Sequence, residues 1–128
     1  MEVEDVLNDS AKEAEKIINE PSKVDEILMK FEEKLNEIPA IGSTLADIPL
    51  MIQMIKSYIT KEYTNVSPKV IALLVGSTIY LVKKKDLIPD KTPFVGHVDD
   101  IAVLGLALKL SEPELKEYKE WRNTVFGG

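Results

Sequence analysis

Residues 70–82 read Val-Ile-Ala-Leu-Leu-Val-Gly-Ser-Thr-Ile-Tyr-Leu-Val, a run of thirteen positions without a charge and apolar on nearly every helical face. A helix that is apolar all round has to be buried all round. Ser67 and Pro68 stand just before the run and supply the N-cap and first-position pair that favours a helix start. A bilayer span needs roughly 20 apolar residues, and Lys69 and Lys83 bracket this stretch well short of that. The run therefore predicts the central helix of a bundle rather than a membrane segment.

Working outward from it, Ile101 to Leu110 forms a second mostly apolar helix, interrupted only by Lys109. Ser111, Pro113 and Glu114 restart the chain as a last helix, with Glu114 in the capping-box position and Leu115, Tyr118, Trp121 and Val125 expected to face inward. On the N-terminal side, Asp47 is expected to cap a helix that tolerates Pro49 in its first turn and runs to about Tyr63. Residues 39–47 read as a connection. Between Glu2 and Asn19, Val3, Val6, Leu7, Ala11, Ala14, Ile17 and Ile18 recur at three and four residues, the stripe of an amphipathic helix. Glu20, Pro21 and Ser22 punctuate it. Ser22 and Asp25 resemble a capping box for a second helix striped by Val24, Ile27, Leu28, Phe31, Leu35 and Ile38, and so short a joint predicts an antiparallel pair. Met29, Met51 and Met54 sit at core spacing, and Trp121 reads as an anchor sealing the bundle.

These elements add up to an all-α, single-domain bundle of five to six helices around a central apolar hairpin. Amphipathic N-terminal helices occupy 1–56, the core 57–110 and a C-terminal helix 111–128. The 128-residue chain is long enough to bury its own core. It has no cysteine, which removes disulfides, thiolate metal sites and cysteine nucleophiles and suits a reducing cytoplasm. The first twenty residues carry acids throughout and no apolar core, so no secretory signal peptide is expected. Net charge is −6, which argues against a nucleic-acid partner held by a broad basic surface. Its acids concentrate in the N-terminal third, which reads as a solvated helical face.

Between the two most apolar helices lies Lys83-Lys84-Lys85-Asp86-Leu87-Ile88-Pro89-Asp90-Lys91-Thr92-Pro93-Phe94-Val95-Gly96-His97-Val98-Asp99-Asp100. The hairpin draws four carboxylates and the chain's one histidine into a neighbourhood, and two prolines and a glycine restrict the backbone between them. Asp86, Pro89, Asp90, Pro93, Gly96, His97, Asp99 and Asp100 are the candidate functional cluster.

Tyr80-Leu81-Val82, Asp86-Leu87-Ile88-Pro89-Asp90, Pro93-Phe94-Val95-Gly96 and Asp99-Asp100, with Ser67 and Pro68, resemble the signature of the YkvA-like family, a domain of unknown function (DUF1232), over roughly residues 57–110. The resemblance implies a short helical unit, widespread in bacteria and also found attached to other domains in eukaryotes. Many relatives are predicted to associate with membranes, and the family carries no established activity. Lys83, Lys84 and Lys85 stand where relatives usually carry a small residue and a proline, so this flank departs from the pattern.

Three readings of the cluster follow. In the electrostatic one, Lys83, Lys84 and Lys85 face the negative C-terminal end of one helix and Asp99 and Asp100 cap the positive start of the next, each interaction worth roughly 0.3–1 kcal/mol, while Asp86 and Asp90 bond free N–H groups in a proline-braced turn. In the second, Asp86, Asp90, Asp99 and Asp100 hold Ca²⁺ or Mg²⁺, with His97 widening the choice to Mn²⁺ or Zn²⁺, although the spacing matches no EF-hand. In the third, paired carboxylates serve a hydrolase. The chain contains no assembled catalytic set and no cofactor motif. The leading expectation is a non-catalytic interaction or adaptor module for a protein partner, with no small-molecule substrate or cofactor. The alternatives are a cytoplasmic protein peripheral to a membrane through the apolar hairpin and Lys83, Lys84 and Lys85, and a divalent-metal-binding protein or metal-dependent enzyme.

Overall fold

Ser67 starts the central helix as its sequence predicts: its Oγ accepts a hydrogen bond from the Lys69 N–H at 3.1 Å, and its carbonyl accepts from Val70 and Ile71. The structure, a computed structural model, describes residues 3–35, 44–87 and 100–126, with only the backbone described at 35, 44–46, 83–87, 100–101 and 126. Six helices lie among them, in the order α1 Val3–Ile17, α2 Pro21–Leu35, α3 Thr44–Ile59, α4 Pro68–Leu87, α5 Asp100–Leu110 and α6 Glu112–Phe126. The molecule is an all-α, single-domain bundle.

α4 is its axis. Every residue from Val70 to Val82 is buried except Tyr80, which is half-buried. α1, α2, α3 and α5 all pack on it, α1 most extensively. Ser77 and Thr78 are fully buried within this apolar surround, and each hydroxyl donates to a carbonyl three residues back, Leu74 at 2.7 Å and Val75 at 2.6 Å. These two hydroxyls are thus satisfied within the helix and need no polar neighbour. Burying each large aliphatic side chain of α4 contributes on the order of 2 kcal/mol.

The α1–α4 seam is a close one. A Cβ built on Gly76 would stand 2.7 Å from the Ala11 nitrogen and 2.8 Å from its Cα, so the two backbones touch through the missing side chain. Ala11 and Ala14, both buried, keep the α1 side of the seam equally slim. Val6 and Leu7 extend the contact, as the stripe in the sequence predicts.

Several boundaries and facings differ from expectation. α2 opens at Pro21, with the Glu20 carbonyl accepting from Lys23 and Val24, so proline takes the first helical position and Ser22 lies inside the helix instead of capping it. α1 and α2 touch each other little. Both lie on α4, because the exposed apolar surface of the central helix is the larger target. α3 starts at Thr44, which places Asp47 in its first turn and Pro49 within the helix. It stops at Ile59 rather than near Tyr63. Lys61 turns left-handed (φ 67°), and the Glu62 N–H reaches back to the Ser57 carbonyl at 2.9 Å, the C-terminal closure usually made with glycine. Met51 and Met54 are fully buried, whereas Met29 is 59% exposed because it falls on the outer side of the Val24–Leu28–Phe31 stripe. Val125 is also exposed, one turn beyond the point where α6 leaves the core.

The α5–α6 joint does not form the expected capping box. α5 runs into α6 with one residue between them, so the Ser111 N–H is already bonded to the Ala107 and Leu108 carbonyls. The Ser111 Oγ is buried with no hydrogen-bond partner among the described residues. The two serines that precede helices therefore do opposite things. Ser67→Ala is expected to lower stability by about 1 kcal/mol through loss of a cap, while Ser111→Ala leaves it unchanged or raises it by up to about 1 kcal/mol by removing an unsatisfied hydroxyl; urea denaturation of both variants reads the difference.

The two helical glycines split in the same way. Gly76→Ala is expected to destabilise by about 2 kcal/mol or more, since backbone rather than a flexible side chain stands in the way. At Gly105 an added Cβ meets nothing within 4 Å. Gly105→Ala is therefore expected to stabilise by up to about 1 kcal/mol through helix propensity, and thermal melts of the pair compare the two.

Candidate functional site

The candidate cluster is reached along the α4–α5 pair. The two helices pack against each other, and Val103, Leu104, Ala107 and Leu108 bury the α5 side. The residues that follow α4 and precede α5 are therefore tethered to two helices of one packed unit, the condition on which the shared neighbourhood of acids depends.

α4 continues five residues past its charge-free run, to Leu87. Lys84 and Lys85 belong by their backbone to its last turn, with Lys83 just before them, where the partial negative charge of a helix end favours cations. Asp86 also belongs to that last turn rather than to the connecting turn. The end of a helix offers free carbonyls rather than free N–H groups, and the turn whose N–H groups were expected to bond Asp86 lies outside the described residues. Asp100 is the first residue of α5, at the positive end of that helix. Pro89, Asp90, Pro93, Gly96, His97 and Asp99 lie outside the described residues. Among the described residues no group of three or more His, Cys, Asp or Glu side chains is placed to hold a metal ion.

A family model described as "Protein of unknown function (DUF1232)" matches residues 70–106, the length of α4 from its third residue to the middle of α5. Over 75 residues the chain is 36% identical to "Uncharacterized membrane protein YkvA" of Bacillus subtilis (strain 168), covering 59% of this chain and 71% of that relative. This chain belongs to the YkvA-like DUF1232 family. The 75-residue likeness is longer than the stretch 57–110 that carries the motif, so it takes in part of the flanking helices. No solved structure matches the chain. The family has no assigned function. The Bacillus relative is named a membrane protein, while no helix among the described residues here is long and apolar enough to cross a membrane.

A second feature of this DUF1232 chain was not legible as a unit in the sequence. Tyr63, Tyr118 and Trp121 form a three-ring cluster where the α3–α4 link meets α6, with centroids 5.0 Å apart for Tyr63–Tyr118, 4.9 Å for Tyr63–Trp121 and 5.6 Å for Tyr118–Trp121. The Tyr118 hydroxyl is hydrogen-bonded to Ser57 Oγ at 2.9 Å, and Arg122 donates to the Gln53 side chain, so α6 is pinned to α3 by polar contacts on the same side. The spacing of Tyr118 and Trp121 announces one face of a helix, and only the early stop of α3 brings Tyr63 onto it. Trp121, half-buried, serves as the anchor expected of it.

Burial pushes the Tyr63 phenol above its ordinary value of 10.0, and the nearby Glu117 carboxylate adds to the shift, partly opposed by a hydrogen bond with Asn65. A raised folded pKa means that stability is intact below pH 10 and falls as pH rises through the folded value. In an absorbance titration of tyrosinate, one ring is expected to ionise later than a free tyrosine, and Tyr63→Phe is expected to remove that late component; an unchanged titration would show that Tyr63 is not the shifted group.

Proposed function

We propose that this chain is a non-catalytic interaction module whose contact surface is the segment from Lys83 to Asp100. The observation that carries this reading is the packing of α4. From Val70 to Val82 its flanks are taken up by α1, α2, α3 and α5, and we assign the partner contact to the charged connection at the ends of the α4–α5 pair. Three lysines and five acidic or lysine positions after them give that surface both signs of charge, suited to a protein surface of complementary pattern. Two prolines and a glycine between Asp86 and Asp99 restrict the backbone of that segment, which lowers the ordering entropy such a contact has to overcome.

A second reading is favoured by the printed name of the Bacillus relative. In it the same end of the pair lies on a membrane surface, with Lys83, Lys84 and Lys85 meeting anionic headgroups at about 1 kcal/mol per base. The burial of α4 supports contact through this basic end over insertion of the hairpin.

An Asp90→Asn, Asp99→Asn double variant tests the first reading. It is expected to melt within a few degrees of the parent chain; a collapse of the fold would assign those carboxylates to architecture and remove the motive for a contact surface. Flotation with vesicles of anionic and of neutral lipid tests the second. Co-flotation with anionic vesicles alone, abolished in a Lys83→Gln, Lys84→Gln, Lys85→Gln variant, is the expected outcome for membrane contact, and a chain left wholly in the soluble fraction rules it out.

A further inference from the structure

α1, α2, α3 and α5 all pack on the central helix, whereas α6 packs on α3 and α5 and has no comparable contact with α4. Leu115 and Tyr118 are its buried side chains among the described residues, Trp121 and Arg122 are half-buried, and the positions between Leu115 and Trp121 other than Tyr118 are exposed. A few side-chain contacts fasten it. The Tyr118 hydroxyl is bonded to Ser57 Oγ at 2.9 Å, Arg122 donates to Gln53, and the rings of Tyr118 and Trp121 rest on Tyr63. The Arg122–Gln53 bond is exposed and the Tyr118–Ser57 bond part-buried, so water replaces a lost partner there at little cost.

The joint at the base of α6 is weak as well. Ser111 is the one residue between α5 and α6. Pro113, the second residue of α6, has no N–H to donate back toward Lys109, and the hydrogen-bond ladder of α5 is interrupted there. The Ser111 Oγ is buried with no hydrogen-bond partner among the described residues, a desolvation cost placed at the joint itself. Elements that bury few apolar side chains and depend on accessible hydrogen bonds open below the free energy of global unfolding. α4 stands at the other extreme, buried from Val70 to Val82 apart from half-buried Tyr80.

We infer that α6 is a releasable strap, hinged at Ser111, that leaves the α3–α5 face while α1 to α5 stay folded. Release uncovers Ser57 and the Tyr63 ring, which α6 touches when seated, and lets water reach the Ser111 hydroxyl, so access to that face is governed by the strap. The inference is independent of the contact surface proposed above, since it uses none of the residues 83–100.

Trp121 is the chain's one tryptophan, so its emission reports the seating of α6, while far-UV circular dichroism follows mainly the other five helices. Urea titration read by both probes tests the inference. The emission is expected to shift to the red at a lower urea concentration than the loss of helicity. Tyr118→Phe and Ser57→Ala, which remove the hydroxyl pin and keep the ring cluster, are each expected to move the emission step to lower urea and leave the main helical transition in place. Native-state hydrogen exchange supplies the second readout, in which α6 amides from Lys116 to Arg122 are expected to exchange roughly tenfold or more faster than those of buried α4, through one shared opening. Coincident transitions overturn the proposal, as does α6 exchange with the same urea dependence as α4. Exchange that merely quickens toward Phe126, the mark of a fraying end, overturns it too, and so do pin variants that shift both transitions equally. Should either variant not fold, the two probes and the exchange pattern of the parent chain decide the matter.

Discussion

Where α1 crosses α4, the missing side chain of Gly76 lets two helix backbones come together, and the rest of the bundle is arranged around that contact. With Ala11 and Ala14 on the opposing face, α1 lies close enough to cover a long strip of the central helix. A helix as apolar as α4 is stable in water only if its whole circumference is covered, and one slim seam on α1 leaves the remaining sides to be closed by α2, α3 and α5. Packing density in such a core leaves little room for adjustment. The glycine that weakens helix propensity by about 1 kcal/mol is retained where its lack of volume is the feature being used.

The burial of α4 also shapes what the molecule is able to do. A central helix buried from Val70 to Val82, with its serine and threonine hydroxyls satisfied internally, presents little surface along that stretch. What remains are the ends of the helices and the outer joints between the peripheral ones. The charged 83–100 connection lies at one such end, and the α6 strap at one such joint. Membership of the DUF1232 family fits this division, because the family match spans the α4–α5 pair, while α6 and α3, the strap and the helix it is pinned to, lie outside the matched residues.

The α3–α6 face shows how one local conformation redirects a surface. Left-handed Lys61 closes α3 early, the following residues fold back, and Tyr63 lands against Tyr118 and Trp121 instead of continuing a helical stripe. The same turn buries Tyr63 and brings it beside Glu117 of α6, and burial first, with that carboxylate second, makes the Tyr63 phenol hold its proton more tightly. A helix extended to Tyr63 would have lost both the ring cluster and that electrostatic neighbourhood.

Sequence alone determined the helical class, the central role of residues 70–82, the Ser67–Pro68 start and most core positions of α1, α2 and α6. All of these follow from periodicity and capping, which act over a few residues and leave a trace at fixed spacing. The DUF1232 motif was legible for the same reason. Only the tertiary structure decided that α1 meets α4 through Gly76, that α2 rests on α4 more than on α1, that Met29 and Val125 face solvent, and that Ser111 caps nothing. Each of those depends on which surfaces compete for burial across the bundle, and a helical stripe records how wide a buried face is without recording what covers it. The seat of α6 was invisible for that reason too: Tyr118 and Trp121 read as one face of a helix, and their approach to Ser57 and Tyr63 is a property of the packing.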